Sequence, residues 1–283
     1  MMPDPVLEVL SCPVCRSAMR MADRTLRCAA GHSYDVARQG YVNLHTGRRP
    51  TGTADTAPMV AARAEFLGAG HFDPIATAVS GAVADAVGPL DVVADIGAGT
   101  GFYLGRLLDR CPEAYGVATD VSPYALRRAA RAHPRSAAVG ADAWHGLPFT
   151  DGGLAALLDV FAPRNADEFS RVLRAGGVLV VVTPMAGHLA ELIERFGMLS
   201  VDERKDERVE ASLAGWFTPE ERQEVTFTMC LDAADVARLI RMGPSAHHLD
   251  EAKLERELAH VTGHLDVTAS VLVSRYRHSA QVG

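Results

Sequence analysis

Lysine is nearly missing from this chain: of its 28 basic residues only Lys205 and Lys253 are lysines, and arginine supplies the rest. Together with the alanine and valine content this reflects a GC-rich coding genome, which is compositional and carries no function. No apolar run approaches the ~18 residues of a membrane-spanning helix. The first residues also lack the basic, apolar and small-residue order of a secretory signal, so a cytoplasmic protein with no membrane partner is expected. No glycine run ends in the Lys-Ser/Thr pair of a phosphate-binding loop, and the main glycine cluster does not have the G-x-G-x-x-G spacing of a dinucleotide site. Cysteines number only five in 283 residues, which in a cytoplasmic chain disfavours a disulfide framework. What remains is 48% hydrophobic and 22% charged, enough to bury a full α/β core and carry a small extra module.

The chain is organised around Val93-Ala94-Asp95-Ile96-Gly97-Ala98-Gly99-Thr100-Gly101. Asp91 to Ile96 reads as a buried strand. Phe102 to Arg110 reads as a helix, its apolar residues Phe102, Leu104, Leu107 and Leu108 on one face. Glycines in the intervening turn let the backbone take positive φ and approach a ligand closely. The D-x-G-x-G-x-G spacing, with Asp95, Gly97, Gly99 and Gly101, resembles the first motif of class I S-adenosylmethionine-dependent methyltransferases, in which this turn holds the methionine end of the cofactor.

The following segments agree. Ala114 to Thr119 is a second apolar run closed by Asp120, and Pro123 suits the first turn of a new helix. A carboxylate offers two acceptor oxygens and no donor, so Asp120 reads as a clamp on two ribose hydroxyls; a helix cap is the plainer alternative. Ser136 to Val139 reads as a third strand, after which Asp142 is placed to receive the adenine amino group. Leu154 to Phe161 is the fourth strand, Ala166 to Arg174 a helix capped by Ala175-Gly176-Gly177, and Val178 to Val182 the fifth strand. Ligands of doubly wound sheets bind at the carboxyl edge. Phe161 and Arg164 are therefore candidates to stack on or orient a methyl acceptor, and His188 lies either beside the sulfonium or at a solvated helix start. Phe161-Ala162-Pro163 is not the Asn/Asp-Pro-Pro-aromatic signature of exocyclic amino methylation, which favours a ring nitrogen or an oxygen. Asp202 to Glu210 reads as an exposed mixed-charge loop. Glu224 to Leu231 and His264 to Tyr276 supply an antiparallel edge pair, with helices Ala233 to Met242 and Asp250 to Val261. The expected fold is an α/β, Rossmann-like, seven-stranded class I methyltransferase sheet with a small N-terminal zinc-ribbon-like domain.

That domain is read over residues 1–45. Cys12-x-x-Cys15 and Cys28-x-x-x-His32 supply three thiolates and an imidazole in two knuckles, a closed tetrahedral set for structural zinc. So short a segment cannot bury enough core to fold alone, and metal would supply the missing stability. Disulfides or free thiols are the competing account; Cys111 and Cys230 read as packing residues. From Met1 to Ala64 there are eight arginines against five carboxylates, although the whole chain stands at −7. A basic module on an acidic body suits contact with a polyanion, or is simply a solvated polar face. Residues 46–88 read as a linker (Arg48 to Thr53) followed by lead-in helices at Met59 to Leu67 and Ile75 to Val87. Phe72, between these helices, is a lid over the cofactor or a packing staple. Residues 89–283 form the methyltransferase domain.

Cys12-Pro-x-Cys15, Cys28-x-x-x-His32, Asp35 to Leu44, Gly70-His71-Phe72, Asp95-Ile96-Gly97-x-Gly99, Phe161-Ala162-Pro163 and Thr183-Pro184-x-x-x-His188 occur in the order seen in the 23S rRNA guanine-N1 methyltransferases. The chain resembles that family, which includes enzymes protecting producers of tylosin and mycinamicin from their own macrolides, over nearly its whole length. The resemblance implies a zinc domain that recognises a 23S rRNA hairpin and often a homodimer. It also implies a cofactor site that includes Phe72, Tyr103, Leu104 and His188. One departure lies near the C-terminus: Met242-Gly243-Pro244-Ser245-Ala246-His247 stands where the family often has Met-Thr-Pro followed by Ala-Trp. Asp142 and His188 are the candidates for the base that removes the guanine N1 proton. The alternative reading is a small-molecule methyltransferase of a biosynthetic pathway that retains the zinc module. A zinc-dependent nucleic-acid-binding protein without transfer activity is a third, opposed by the intact Asp95, glycine run and Asp120.

Overall fold

The structure, a computed structural model, describes residues 2–46, 54–198, 205–248 and 250–279. The linker read at Arg48 to Thr53 lies outside these residues. A short helix α1 (Asp4–Val9) opens the chain and is followed by β1 (Met19–Ala22), β2 (Thr25–Cys28) and β3 (Ser33–Asp35). These three strands form their own antiparallel sheet, the ribbon that carries the cysteines. β4 (Val42–Asn43) leaves the ribbon, and α2 (Ala57–Gly68) and α3 (Asp73–Gly81) lead into the larger body. Thr56 caps α2 by accepting from the Met59 N–H at 3.5 Å, the kind of side-chain acceptor an N-terminus needs. α3 is shorter than the apolar spacing suggested and ends at Gly81.

The body runs β5 (Val92–Ile96), α4 (Phe102–Arg110), β6 (Tyr115–Asp120), α5 (Pro123–Ala129), β7 (Ser136–Gly140), β8 (Leu154–Val160), α6 (Ala166–Val172), β9 (Leu173–Pro184) and α7 (Ala190–Phe196). It ends with α8 (Lys205–Leu213), β10 (Phe217–Asp232), α9 (Ala233–Met242), α10 (Glu251–Leu258) and β11 (His264–His278). The strands form one sheet in the order β10-β11-β9-β8-β5-β6-β7-β4. β10 and β11 are antiparallel and the others parallel. Central strands are buried on both faces, as parallel strands sandwiched between helices must be. Every residue of β5, β7 and β8 is buried.

Side chains alternate between two cores, as the pleat requires. Val178, Val180 and Val182 face a core shared with α2, α3, α4, α7 and α9. Leu179 and Val181 face the other, which contains residues of α1, α6, α8 and the ribbon, among them Val6, Leu10, Cys12, Met19 and Leu26. The ribbon thus packs directly on the sheet. The Ser11 N–H donates to the Pro148 carbonyl at 2.9 Å, and the Thr150 N–H donates to the Val9 carbonyl at 2.9 Å.

Four differences from the sequence reading have local causes. The sheet has eight strands, because Val42 and Asn43 pair in parallel with Val139 and Gly140 and add a two-residue edge to the seven expected. α6 ends at Val172, since Leu173 already pairs with Leu154 across an irregularity in the ladder. The stretch read as an exposed loop at Asp202 to Glu210 forms α8 from Lys205 onward, anchored by buried Val209 and Leu213. Cys111 is buried as expected, but Cys230 is exposed on β10 and packs no core. Among the described residues no helix is long and apolar enough to cross a membrane.

Candidate active site and metal centre

The carboxyl ends of β5, β8 and β9 open into a cavity of about 510 Å³, within the range of small-molecule sites. At its deep end are Asp95, Gly97, Ala98 and Tyr103; Phe72, Leu67, Leu189 and His188 form one wall; Phe161, Pro184, Met198, Arg208 and the turn Met242 to Ser245 complete it. The glycine turn is obligatory. Gly97, Gly99 and Gly101 have φ of 66°, 56° and 78°, a region L side chains rarely adopt. A Cβ on Gly97 would lie 2.8 Å from the Ala162 Cβ.

Asp95 is 1% exposed, and its Oδ2 is buried without a hydrogen-bond partner. Burial, reinforced by the nearby Asp120 and Asp159 carboxylates, pushes its pKa well above the ordinary value. The Leu104 backbone N–H bonds to this carboxylate, whereas the Leu104 side chain is in the core, under the backbone of Gly116. Asp120 ties two elements together. Its Oδ2 accepts from the Gly99 N–H and its Oδ1 from the Ser122 N–H, both at 2.8 Å. Helix capping at α5 falls to Ser122, whose hydroxyl accepts from the Ala125 N–H at 3.4 Å. Burial raises Asp120 to about 6 against the lowering effect of those two N–H donors.

Phe72 is 3% exposed, edge-on to Phe66 with centroids 5.2 Å apart and 6.3 Å from His188. His188 Nδ1 accepts from the Ser270 backbone N–H at 3.2 Å. A backbone N–H can only donate, so the neutral ring carries its proton on Nε2. Phe161 stacks on His188 at 6.0 Å with φ of 56° and remains 40% exposed. A bulky residue held in that conformation is strained, a feature that clusters at ligand sites.

Six of the candidates, Gly99, Gly101, Leu104, Asp120, Asp142 and Arg164, are not among the residues that line the cavity. Arg164 Nη1 points back to the buried Asp159 at 3.5 Å. Asp142 accepts from the Trp144 N–H at 3.0 Å and pairs with His145 at 2.9 Å, capping the turn that carries Trp144. Sequence reasoning missed Arg63, Met198 and Arg208 in the cavity. Arg208 came in a charge-dense stretch, and Arg63 was an ordinary helix cation by its pattern.

In the ribbon, the sulfurs of Cys15 and Cys28 are 3.6 Å apart, and His32 Nδ1 is 3.3 Å from Cys28 Sγ and 3.6 Å from Cys12 Sγ. Zn–S bonds of about 2.3 Å at the tetrahedral angle place ligands ~3.8 Å apart. The four ligand atoms, all within 4.8 Å of one another, fit that spacing. The Ser17 hydroxyl, 3.0 Å from Cys15 Sγ, is the main cause that holds this thiol down at about 6, so it is readily available as thiolate. This soft, closed donor set suits structural zinc.

Sheet order, glycine corner and edge cavity together define a class I S-adenosylmethionine-dependent methyltransferase. The orphaned Asp95 oxygen and the cradle that a Cβ would fill are what the methionine end of that cofactor requires. Residues 93–177 match the family model described as a methyltransferase domain, and residues 10–45 match the zinc ribbon described as RlmA, N-terminal. A Micromonospora griseorubida protein with a provisional 23S rRNA (guanine-N1)-methyltransferase name is 50% identical over 98% of this chain and 99% of its own length. The Streptomyces fradiae 23S rRNA (guanine(748)-N1)-methyltransferase is 47% identical over 94% of this chain and 95% of its own. The chain belongs to the 23S rRNA guanine-N1 methyltransferase family. The solved YcgJ protein of Bacillus subtilis shares the fold, with a TM-score of 0.51 at 14% identity over 72% of this chain and 99% of that one.

Proposed function

We propose that this protein transfers the methyl group of S-adenosylmethionine to N1 of a guanosine in a 23S rRNA hairpin, the reaction named for its Streptomyces fradiae relative, and so protects a ribosome from macrolides. The observation that carries the reading is the path from ribbon to cavity. The ribbon exposes Arg16, Arg20, Arg24, Arg27 and Arg38, a surface suited to phosphates. Arg16 Nη1 donates to the Leu147 carbonyl at 3.3 Å, and the Asn165 amide donates to the Ala143 carbonyl at 2.9 Å. A single loop therefore joins the basic ribbon to the cavity mouth at Phe161. A small-molecule methyltransferase would have no use for such a surface, and the two long relatives match 98% and 94% of this chain.

We assign residues 1–45 to RNA recognition, 46–88 to the lead-in and 89–283 to transfer, in a cytoplasmic homodimer. Cys12, Cys15, Cys28 and His32 hold zinc. Asp95, Gly97, Gly99, Gly101, Tyr103 and Phe72 hold the methionine end of the cofactor, the Leu104 N–H orients Asp95, and Asp120 holds the ribose. The bound cofactor supplies an electrophilic methyl on a cationic sulfur. The chain's part is alignment, worth roughly 7 to 11 kcal/mol when reactants are well held, and exclusion of water by the Phe72, Leu67 and Leu189 wall. Phe161 stacks on the unpaired target base, as aromatic side chains do in single-stranded RNA recognition. Because the Ser270 N–H already occupies Nδ1, His188 acts as a neutral hydrogen-bond donor rather than as the base. Asp142, spent on the Trp144 turn, is not the base either.

Primer extension across 23S rRNA from cells with and without the gene tests the reading. A stop at one hairpin guanosine that appears only with the gene is expected; unmodified rRNA from cells whose purified protein binds S-adenosylhomocysteine overturns the RNA acceptor.

A further inference from the structure

Given the reading of the cavity as a cofactor site, we propose that Arg63 of α2 is the carboxylate-binding residue for the amino-acid end of S-adenosylmethionine, opposite Asp95, which takes the ammonium. The cavity contains an unsatisfied group of each sign. Asp95 Oδ2 is a buried acceptor without a partner, and Arg63 Nε is a buried donor without one; both residues line the cavity. An α-amino acid carries one anionic and one cationic group on a single carbon, and a buried, unmatched guanidinium N–H and carboxylate oxygen are the complement of that pair.

The guanidinium is already fixed in place. Nη2 donates to the Met242 carbonyl at 2.7 Å and pairs with Asp55 at 2.9 Å. Asp55 is itself held to the cofactor corner, since its carbonyl accepts from the Ser122 hydroxyl at 2.6 Å. These anchors occupy Nη2 and leave Nε without a partner. Nη1 lies over the glycine turn, 3.1 Å from where a Cβ on Gly99 would be. A planar, pre-positioned fork loses little freedom on binding a carboxylate. The anchor at Met242 has a further consequence: the same side chain that meets the cofactor carboxylate holds the start of the turn Gly243 to Ser245, which walls the acceptor end.

Calorimetry with S-adenosylhomocysteine and its decarboxylated counterpart tests this directly, without any turnover. The intact protein is expected to prefer the carboxylate-bearing ligand by roughly 10- to 100-fold, the scale of a charge-assisted hydrogen bond. Arg63→Met should lower affinity for S-adenosylhomocysteine by the same factor, leave the decarboxylated ligand unchanged and erase the preference; Arg63→Lys should restore part of it. A preference that persists in Arg63→Met overturns the assignment. So does an intact protein that binds both ligands equally, a result that needs no variant to fold. Binding of neither ligand to the intact protein overturns the cofactor reading itself, and the assignment with it.

Discussion

At the deep end of the cavity Asp95, Gly97, Ala98 and Tyr103 come from one stretch of chain, whereas the outer wall is collected from Phe161, Pro184, Met198, Arg208 and Met242 on separate segments. The deep end is rigid by construction: three alternating positive-φ glycines, the neighbouring Asp120 carboxylate bonded to two backbone N–H groups, and helix α4 starting at once. The outer wall is mostly apolar side chains on α7, α8, α9 and the loops after β8 and β9. A cofactor that never varies can be met by backbone geometry fixed in a short motif. An acceptor delivered on a large RNA is met by whatever side chains the fold brings to the edge.

The largest effect should come from Gly97→Ala. An L residue in the left-handed region costs about 1–2 kcal/mol, and the new Cβ, 2.8 Å from the Ala162 Cβ, pushes into the chain beside Phe161. Affinity for S-adenosylhomocysteine should fall at least about 100-fold by calorimetry, since each factor of ten is only ~1.4 kcal/mol, with a lower melting temperature. A variant that binds normally would show that the turn is not the cofactor cradle.

A smaller effect, confined to the other end, is expected from Phe161→Ala. Base–aromatic stacking contributes about 1–3 kcal/mol per base, so kcat/KM on an rRNA hairpin should drop roughly 5- to 100-fold while the affinity for S-adenosylhomocysteine stays within about twofold. Equal losses in both measurements would mean that the two ends are not separable and that Phe161 is part of the cofactor wall.

The same contrast explains what could be read from sequence. Strand-turn-helix from Val92 to Arg110 was legible because each step is local: an apolar run, glycines that the turn demands, and an apolar face at helical spacing. The ribbon ligands were legible because zinc requires thiolates and imidazole at short spacing. Arg208 was not, since α8 has few apolar residues and only its packing of Val209 and Leu213 against the sheet reveals a helix. Nor was Arg63, whose meaning depends on Met242, 179 positions away. β4 is two residues long, below any periodic signal. Asp142 and Arg164 are candidates by position at strand ends; the structure pairs them with Trp144, His145 and Asp159, and neither is among the residues that line the cavity.

The smallest predicted effect concerns pH and separates the apo corner from the filled one. Burial raises Asp120 to about 6, whereas an unfolded carboxylate titrates near 3.9. Between about pH 4 and pH 6 the folded apo protein therefore binds more protons than the unfolded chain at this group, and its contribution to stability falls as pH rises through that window. Ribose hydroxyls call for the ionised acceptor, so binding must first remove the proton below pH 6. Affinity for S-adenosylhomocysteine should be flat from pH 8 to about 6.5 and weaken by up to about tenfold for each unit below 6. Asp95 is raised as well, and Asp120→Asn isolates the contribution of Asp120: it should bind more weakly at pH 7 and show a shallower slope. A slope that survives unchanged in Asp120→Asn assigns the titration to Asp95, and with it moves the pH-sensitive contact from the ribose to the ammonium end.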